Sequence, residues 1–197
     1  MGLYVLWMVT TYMRPSEPLR IQRQDLVPPT AGVCREWCVL LFPETRAARS
    51  KVLAKNETVD LQTQIAPWLP GICKTLQQGT PSDRVFSFDY GQFLREWRRA
   101  TRDWPMPIVP YQARHSGASM DAAAGHRHRQ EIMDRGRWSS QSSLLRYEKH
   151  GRLAQSVANL TPAWRTFFEV AASRLEALFA GQVDPAVIER PPIRGKR

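Results

Sequence analysis

Three residues in the second half of the chain have types and an order that suit chemistry on a phosphodiester. Arg114 begins a helical segment, Trp138 follows a turn-like Arg-Gly-Arg sequence, and Tyr147 comes nine residues after Trp138. A guanidinium stays charged at any working pH and offers paired donors to two phosphate oxygens, which suits a pentacoordinate transition state. The indole of Trp138 adds one N–H donor. The order arginine, tryptophan, tyrosine therefore favours phosphodiester chemistry.

The environment of Tyr147 bears on whether its phenol could act as a nucleophile. A phenol has an unperturbed pKa of about 10 and attacks poorly until nearby cations stabilise its oxyanion. Tyr147 lies between Arg146 and the pair Lys149-His150, which would supply such cations. Taken alone, a tyrosine or tryptophan on a short helix is most often a core or boundary residue. Only the combination favours a catalytic interpretation.

Together these segments resemble the catalytic domain of the tyrosine recombinase (phage integrase) family. The resemblance is carried by Arg-His-Ser-Gly-Ala-Ser at 114–119, Arg-Gly-Arg-Trp at 135–138 and Arg-Tyr-Glu-Lys-His at 146–150. Members carry a His-x-x-Arg motif, a later His or Trp after a Gly-containing turn, and a nucleophilic Tyr nine residues on. This sequence departs at Tyr111, which replaces the family's first histidine. Tyr111 itself or His115 is left to assist the general-base step.

The first half of the chain contains a further match. The family's first arginine lies in an Arg-x-x-Glu motif after an apolar helix, and here Arg14 and Glu17 follow LYVLWMVTTYM. The resemblance implies that Arg14 is catalytic and that Glu17 orients it. The resemblance covers roughly residues 3–153. Because the chain opens directly in a core helix, we expect an enzyme truncated at its N-terminus.

The family also uses a lysine on or beside a β-hairpin after the Arg-x-x-Glu motif. Lys51 lies between the strand-like segments 37–42 and 57–61 and is the residue we favour, with Lys55 as the alternative. A lysine in such a charged segment is otherwise most often a solvated turn residue.

The resemblance implies site-specific DNA recombination or integration through a 3′-phosphotyrosyl intermediate. The tyrosine attacks, the arginines and the tryptophan stabilise the phosphorane, and the lysine protonates the leaving 5′-oxygen. The bond energy stays in the phosphotyrosine, so neither a nucleotide cofactor nor a metal is needed. Two alternatives remain: an inactive DNA-binding remnant of a mobile-element integrase, and a type IB topoisomerase-like activity.

The composition of the chain limits which partners and which compartment are expected for the protein. The 197-residue chain has a formal net charge of +10 and a pI near 10.2, which favours a polyanionic partner, and we expect double-stranded DNA. The N-terminal apolar stretch is shorter than the roughly 20 residues of a bilayer span, so no membrane association is expected. Three cysteines without framework spacing argue against a disulfide-stapled secreted domain. We expect an intracellular protein with its DNA, in the nucleus of a eukaryote or otherwise in the cytoplasm or nucleoid.

The patterning predicts an α+β fold that is mainly α-helical, with a small antiparallel β-sheet or hairpin near residues 33–61, and the resemblance implies an integrase-type catalytic core. We expect a recombinase-like catalytic domain over 1–160, an amphipathic helix over 161–180 and a disordered basic tail over 181–197. The apolar face of that helix has two possible partners: a neighbouring protomer in a homo-oligomer on DNA, or its own domain.

One internal helix carries a second feature of interest. Asp89 is a typical helix N-cap, and the pattern predicts a helix through Arg102 with an aromatic core face. Its arginines form either a solvated face or a set of phosphate contacts.

Overall fold

The structure is a computed structural model of the chain and describes residues 1–41, 58–61, 64–140, 142 and 150–192. It is mainly helical with one small antiparallel sheet, which confirms the predicted fold class. The helices are α1 (Gly2–Thr10), α2 (Leu69–Leu76), α3 (Tyr90–Thr101), α4 (Tyr111–Ala124), α5 (Arg129–Gly136), α6 (His150–Ala158), α7 (Pro162–Ser173) and α8 (Leu175–Phe179). The strands are β1 (Leu26–Val27), β2 (Cys38–Leu40) and β3 (Thr58–Asp60).

Helix α1 lies at the centre of the main hydrophobic core. Nearly all of its residues are apolar, as expected for a helix that is covered on several sides. The rings of Tyr4 and Trp7 are both fully buried and pack edge-on against Phe86. Helix α4 crosses α1 at Gly117, where a Cβ would lie 1.8 Å from the carbonyl oxygen of Val9. Glycine therefore permits the closest approach between the two helices.

The three strands form an antiparallel sheet in the order β1, β2, β3. The pairing of β2 with β3 confirms the predicted hairpin, and β1 adds a third, two-residue strand. Leu26, Val39 and Val59 lie opposite one another across the sheet, and all three are buried. One face of the sheet therefore contributes to the same core as α1.

Helix α3 begins directly after Asp89, the N-cap residue predicted from the sequence. The carboxylate of Asp89 accepts a hydrogen bond from the backbone N–H of Gln92 at 2.7 Å, and the Gln92 side chain accepts one from the backbone N–H of Asp89. This reciprocal capping satisfies two of the donors that a helix start leaves open.

The segment 161–180 is two helices rather than one, since α7 ends at Ser173 and α8 begins at Leu175. Thr161 caps α7, as its position before Pro162 predicts. The ring of Phe179 lies 5.3 Å from that of Trp68, and a Cβ added at Gly2 would lie 3.1 Å from it, so α8 packs on its own domain. Across the described ranges, no helix combines the length and apolarity that crossing a membrane would require.

Candidate functional site

The chain turns sharply after α1 and brings Arg14 and Glu17 to the end of that helix. Tyr12 adopts a left-handed backbone conformation with φ of 52°, which is uncommon for an aromatic residue and marks the turn. The Tyr4 hydroxyl donates a hydrogen bond to the carbonyl of Pro15, and the backbone N–H of Glu17 bonds the carbonyl of Arg14 at 2.9 Å. The Arg-x-x-Glu segment is therefore anchored to the core helix that precedes it.

The carboxylate of Glu17 is shared by three arginines. Arg14 donates to it twice, from its backbone N–H at 2.6 Å and from Nη1 at 2.8 Å. Arg137 donates from Nη2 to Oε2, and Nη1 of Arg114 lies 4.0 Å from the same oxygen. Glu17 is only 5% exposed, so this is a buried carboxylate compensated by several cations.

Arg114 lies in the interior of the site. Its side chain is fully buried, it donates to the carbonyl of Gly136, and its guanidinium lies 5.3 Å from the centre of the Trp138 ring. A Cβ on Gly136 would lie 2.5 Å from that ring, so glycine allows the indole to pack here. Trp138 stacks in turn on Tyr12 at a centroid distance of 6.2 Å.

Arg137 is a site residue that the sequence reasoning missed. It follows α5 in a left-handed conformation with φ of 54°, and its guanidinium reaches Glu17 and, at 3.4 Å, the carbonyl of Tyr12. Burial lowers the pKa of Arg137 to about 10, while the charge of Glu17 opposes that shift. The guanidinium therefore remains charged at neutral pH. In the sequence, the only local indication of its role was that it is a second arginine, placed directly after the turn residue Gly136.

A second network joins the end of α1 to the sheet. Arg135 donates to the carbonyl of Thr10 from Nε at 2.9 Å and from Nη2 at 2.6 Å. It also donates to the backbone carbonyl of Asp60 at 2.9 Å and to its carboxylate at 3.1 Å. Burial lowers the pKa of Arg135, and Asp60 opposes that shift. Arg135 thus ties α5 to α1 and to β3.

Tyr12 connects the two networks. Its hydroxyl donates to Oδ2 of Asp121 on α4, and the same oxygen accepts a bond from Nε of Arg127 at 3.0 Å. Burial raises the pKa of Tyr12, and the hydrogen bond to Asp121 raises it further, so the phenol stays protonated. The Arg135 guanidinium lies 5.5 Å from the centre of the Tyr12 ring. The turn after α1 is therefore held from both α4 and α5.

The structure brings four of the predicted site residues together: Arg14, Glu17, Arg114 and Trp138. Tyr111 and His115 form a separate contact on α4, with ring centres 4.6 Å apart, and Tyr111 is 40% exposed. The remaining predicted residues, Lys51 with its alternative Lys55, and Tyr147, lie outside the described residues.

The charges of the cluster favour an anionic ligand. Three guanidinium groups face one carboxylate, which leaves a formal surplus of positive charge. The side chain of Arg14 is 33% exposed, whereas those of Arg114 and Arg137 are almost fully buried. An oxyanion would therefore contact Arg14 directly, and the two buried arginines would act through their charge and through Glu17.

Comparison of the chain with protein-family models, with curated proteins and with solved structures finds no match.

Proposed function

We propose that the protein cleaves and rejoins DNA strands through a phosphotyrosine, as the tyrosine recombinases that its motifs resemble do, in site-specific recombination or integration. One observation carries the proposal. Arg14 and Arg114, from opposite halves of the chain, meet at the carboxylate of Glu17, with the Trp138 ring against Arg114. The family resemblance predicts that the two arginines lie together. The sequence around each arginine gives no independent reason for them to do so.

The proposed cleavage step transfers a phosphoryl group from DNA to the protein. The phenolic oxygen of Tyr147 attacks the scissile phosphorus, the bond from phosphorus to the 5′-oxygen breaks, and Lys51, or Lys55 in its place, protonates that oxygen. The phenolic proton passes to the imidazole of His115, either directly or through the hydroxyl of Tyr111, which relays it to that imidazole. Rejoining reverses these steps with the 5′-hydroxyl of a partner strand. The phosphoester is conserved throughout, so the reaction requires neither a cofactor nor a metal.

The Glu17 cluster would stabilise the charge that develops on the non-bridging oxygens. The side chain of Arg14 is partly exposed and can donate to them, and Arg114 adds a fixed positive charge from the interior. A preorganised charge of this kind stabilises a transition state without reorganisation during the reaction. Glu17 holds Arg14 in position, so it is a positioning residue.

The proposal is tested by trapping the covalent intermediate. A duplex with a nick near the cleavage point loses a short fragment on cleavage, which prevents rejoining and leaves the protein attached to DNA. We expect a denaturation-resistant adduct with the full chain and none with Tyr147→Phe. Tyr90→Phe, which alters an exposed tyrosine of α3, is the matched control and should trap normally. Undiminished trapping by Tyr147→Phe would refute the assignment of the nucleophile.

A second candidate function is that of a DNA-binding remnant without turnover. The full burial of Arg114 favours it, because a guanidinium inside the protein has no direct access to a phosphate. The replacement of the family's histidine by Tyr111 favours it as well. A remnant would bind duplex DNA with a steep dependence on salt and would form no adduct with the nicked duplex. Relaxation of a supercoiled plasmid without joining of separate duplexes would instead indicate the topoisomerase-like activity.

A further inference from the structure

Helix α3 carries three arginines on one side, and a fourth arginine directly after the helix lies on the same side. Arg95, Arg98, Arg99 and Arg102 are spaced at i, i+3, i+4 and i+7, and all four are exposed. Residues at this spacing lie on one face of an α-helix. Arg102 directly follows the last residue of α3 and keeps a helical backbone conformation, so it continues the row.

The opposite side of α3 is fixed against the core. Phe93 is fully buried, with its ring 4.7 Å from that of Tyr4 and 5.8 Å from that of Trp97. The indole N–H of Trp97 donates to the carbonyl of Ile108 at 3.1 Å. Because these contacts set the rotation of the helix, its arginines are held facing outward.

A fifth arginine, from the C-terminal segment, lies at the C-terminal end of α3. Arg190 donates to the carbonyl of Ala100 at 2.7 Å, and its Nη1 lies 3.7 Å from the carboxylate of Asp103. We call Arg95, Arg98, Arg99, Arg102 and Arg190 the α3 arginine face.

Acidic side chains compensate only part of this charge. Glu96 lies 3.3 Å from Arg99, and Asp103 lies 3.5 Å from Arg102 as well as near Arg190. Ion pairs that water can reach contribute little to stability, so the paired arginines can exchange their carboxylate partners for phosphates at little cost. The face therefore has more positive than negative charge and can release its carboxylates on binding an anion.

We propose that the α3 arginine face binds the phosphate backbone of duplex DNA, as a contact surface additional to the Glu17 cluster. The proposal rests on the proposed function, since it assigns the same substrate to a second part of the molecule. From Arg95 to Arg102 the helix rises about 10 Å in seven steps, a length over which one strand of B-DNA carries about three phosphates. Guanidinium groups bind phosphate oxygens in pairs, without reading the base sequence.

The packing of α3 favours DNA over an anionic membrane as the partner. A helix that lies on a membrane inserts an apolar face into the lipid. The apolar face of α3 is already buried against α1, so only the charged face can meet a partner. A polyanion that needs no hydrophobic insertion fits that face.

The test measures how DNA affinity depends on salt. Binding of a duplex of unrelated sequence is followed by fluorescence anisotropy over a range of salt concentrations, using full-length Tyr147→Phe so that no covalent step contributes. The test variant adds Arg95→Gln and Arg98→Gln, which leaves intact the three arginines that pair with Glu96 or Asp103. The charge-matched control instead adds Arg84→Gln and Arg174→Gln, two exposed arginines outside α3.

Each phosphate contact contributes about 0.9 to the slope of log affinity against log salt. We expect the test variant to bind more weakly, with a slope shallower by about 2, and the control to change the slope much less. Equal changes of the salt slope in both variants would refute binding at the α3 arginine face, because they would reflect the loss of net charge alone. Retained DNA binding in the test variant, with loss of binding to vesicles rich in phosphatidylserine, would refute it in favour of a membrane contact.

The two proposals fail in different ways. If the unmodified chain forms no adduct but the Arg95→Gln/Arg98→Gln variant shows the expected shallower salt slope, the reaction is refuted and the DNA surface stands. If an adduct forms while the slope is unchanged, the reaction stands and the α3 arginine face has no contact with DNA.

Discussion

Arg137 donates a hydrogen bond to Oε2 of Glu17, a residue 120 positions earlier in the chain. The bond connects the end of α5 to the turn after α1, and Arg14 holds the other oxygen of the same carboxylate at 2.8 Å. Glu17 is therefore the point at which three cationic side chains from separate segments are held together. Its removal would leave buried positive charges next to one another.

Glu17→Gln keeps the shape of the side chain and removes its charge. We expect a loss of unfolding free energy of about 3–5 kcal/mol, the usual cost of breaking a buried ion pair from one side. Urea unfolding measures this loss as a lower midpoint concentration of urea, while the slope of the unfolding free energy against urea concentration stays unchanged. Glu96→Gln, which removes a carboxylate paired with exposed Arg99, is the control and should shift the stability by under about 0.5 kcal/mol. Similar small shifts in both variants would contradict the shared-carboxylate arrangement.

Gly117→Ala tests the crossing of α1 and α4. The added Cβ would lie 1.8 Å from the carbonyl oxygen of Val9, so the helices have to separate. We expect destabilisation of at least about 1–3 kcal/mol, the usual cost of overpacking. Gly71→Ala in α2 is the matched control: its Cβ would meet no atom within 4 Å, and the substitution should be neutral or stabilising. A Gly117→Ala protein as stable as that control would show that the helices do not cross there.

The main elements of the fold were predictable because their signals are local. The apolar run at the start of the chain predicted α1, Asp89 predicted the start of α3, and Thr161 with Pro162 predicted the start of α7. The strand-like segments around β2 and β3 predicted a hairpin, and the two strands do pair. The break between α7 and α8 had no comparable signal, since Arg174 is neither glycine nor proline.

The candidate site was only partly predictable. The resemblance selected Arg14, Glu17, Arg114 and Trp138, and these residues lie together. It gave no reason to select Arg137, because the partners of that residue, Glu17 and the carbonyl of Tyr12, become its neighbours only in the folded chain. Side chains whose partners are remote in sequence leave no periodic or spacing signal.

Cys73 predicts how stability depends on pH. Burial raises the pKa of its thiol from 9.0 to about 12. The unfolded chain therefore loses this proton first as the pH rises, and the folded state is destabilised from about pH 9 upward, by up to about 1.4 kcal/mol per pH unit. Below about pH 9 the thiol is protonated in both states and contributes no pH dependence.

Urea unfolding under reducing conditions between about pH 8 and pH 10 measures this slope. We expect Cys73→Ala to be less stable overall but to lose stability less steeply with pH. Cys34→Ala, in a surface loop, should keep the steeper dependence of the unmodified chain. The same steepness in all three proteins would show that the Cys73 thiol is not responsible.

Tyr111→His would restore the histidine that the recombinase motif has at this position. Tyr111 is exposed, so we expect a change in stability of less than about 0.5 kcal/mol. General acid–base catalysis contributes about 10²–10⁴ in rate, and we expect adduct formation on the nicked duplex to accelerate at least about tenfold. Tyr90→His is a close control, because Tyr90 also begins a helix and is equally exposed at 40%. Acceleration by both variants, or by neither, would argue against a base at position 111.

The most direct test of the central claim is to identify the residue that becomes linked to DNA. The adduct on the nicked duplex is digested with nuclease and trypsin, and the modified peptide is sequenced by mass spectrometry. We predict a 3′-phosphate ester on Tyr147, in the tryptic peptide of residues 147–149, which follows Arg146 and ends at Lys149. Attachment to any other residue, or to the 5′ end of the broken strand, would contradict the account.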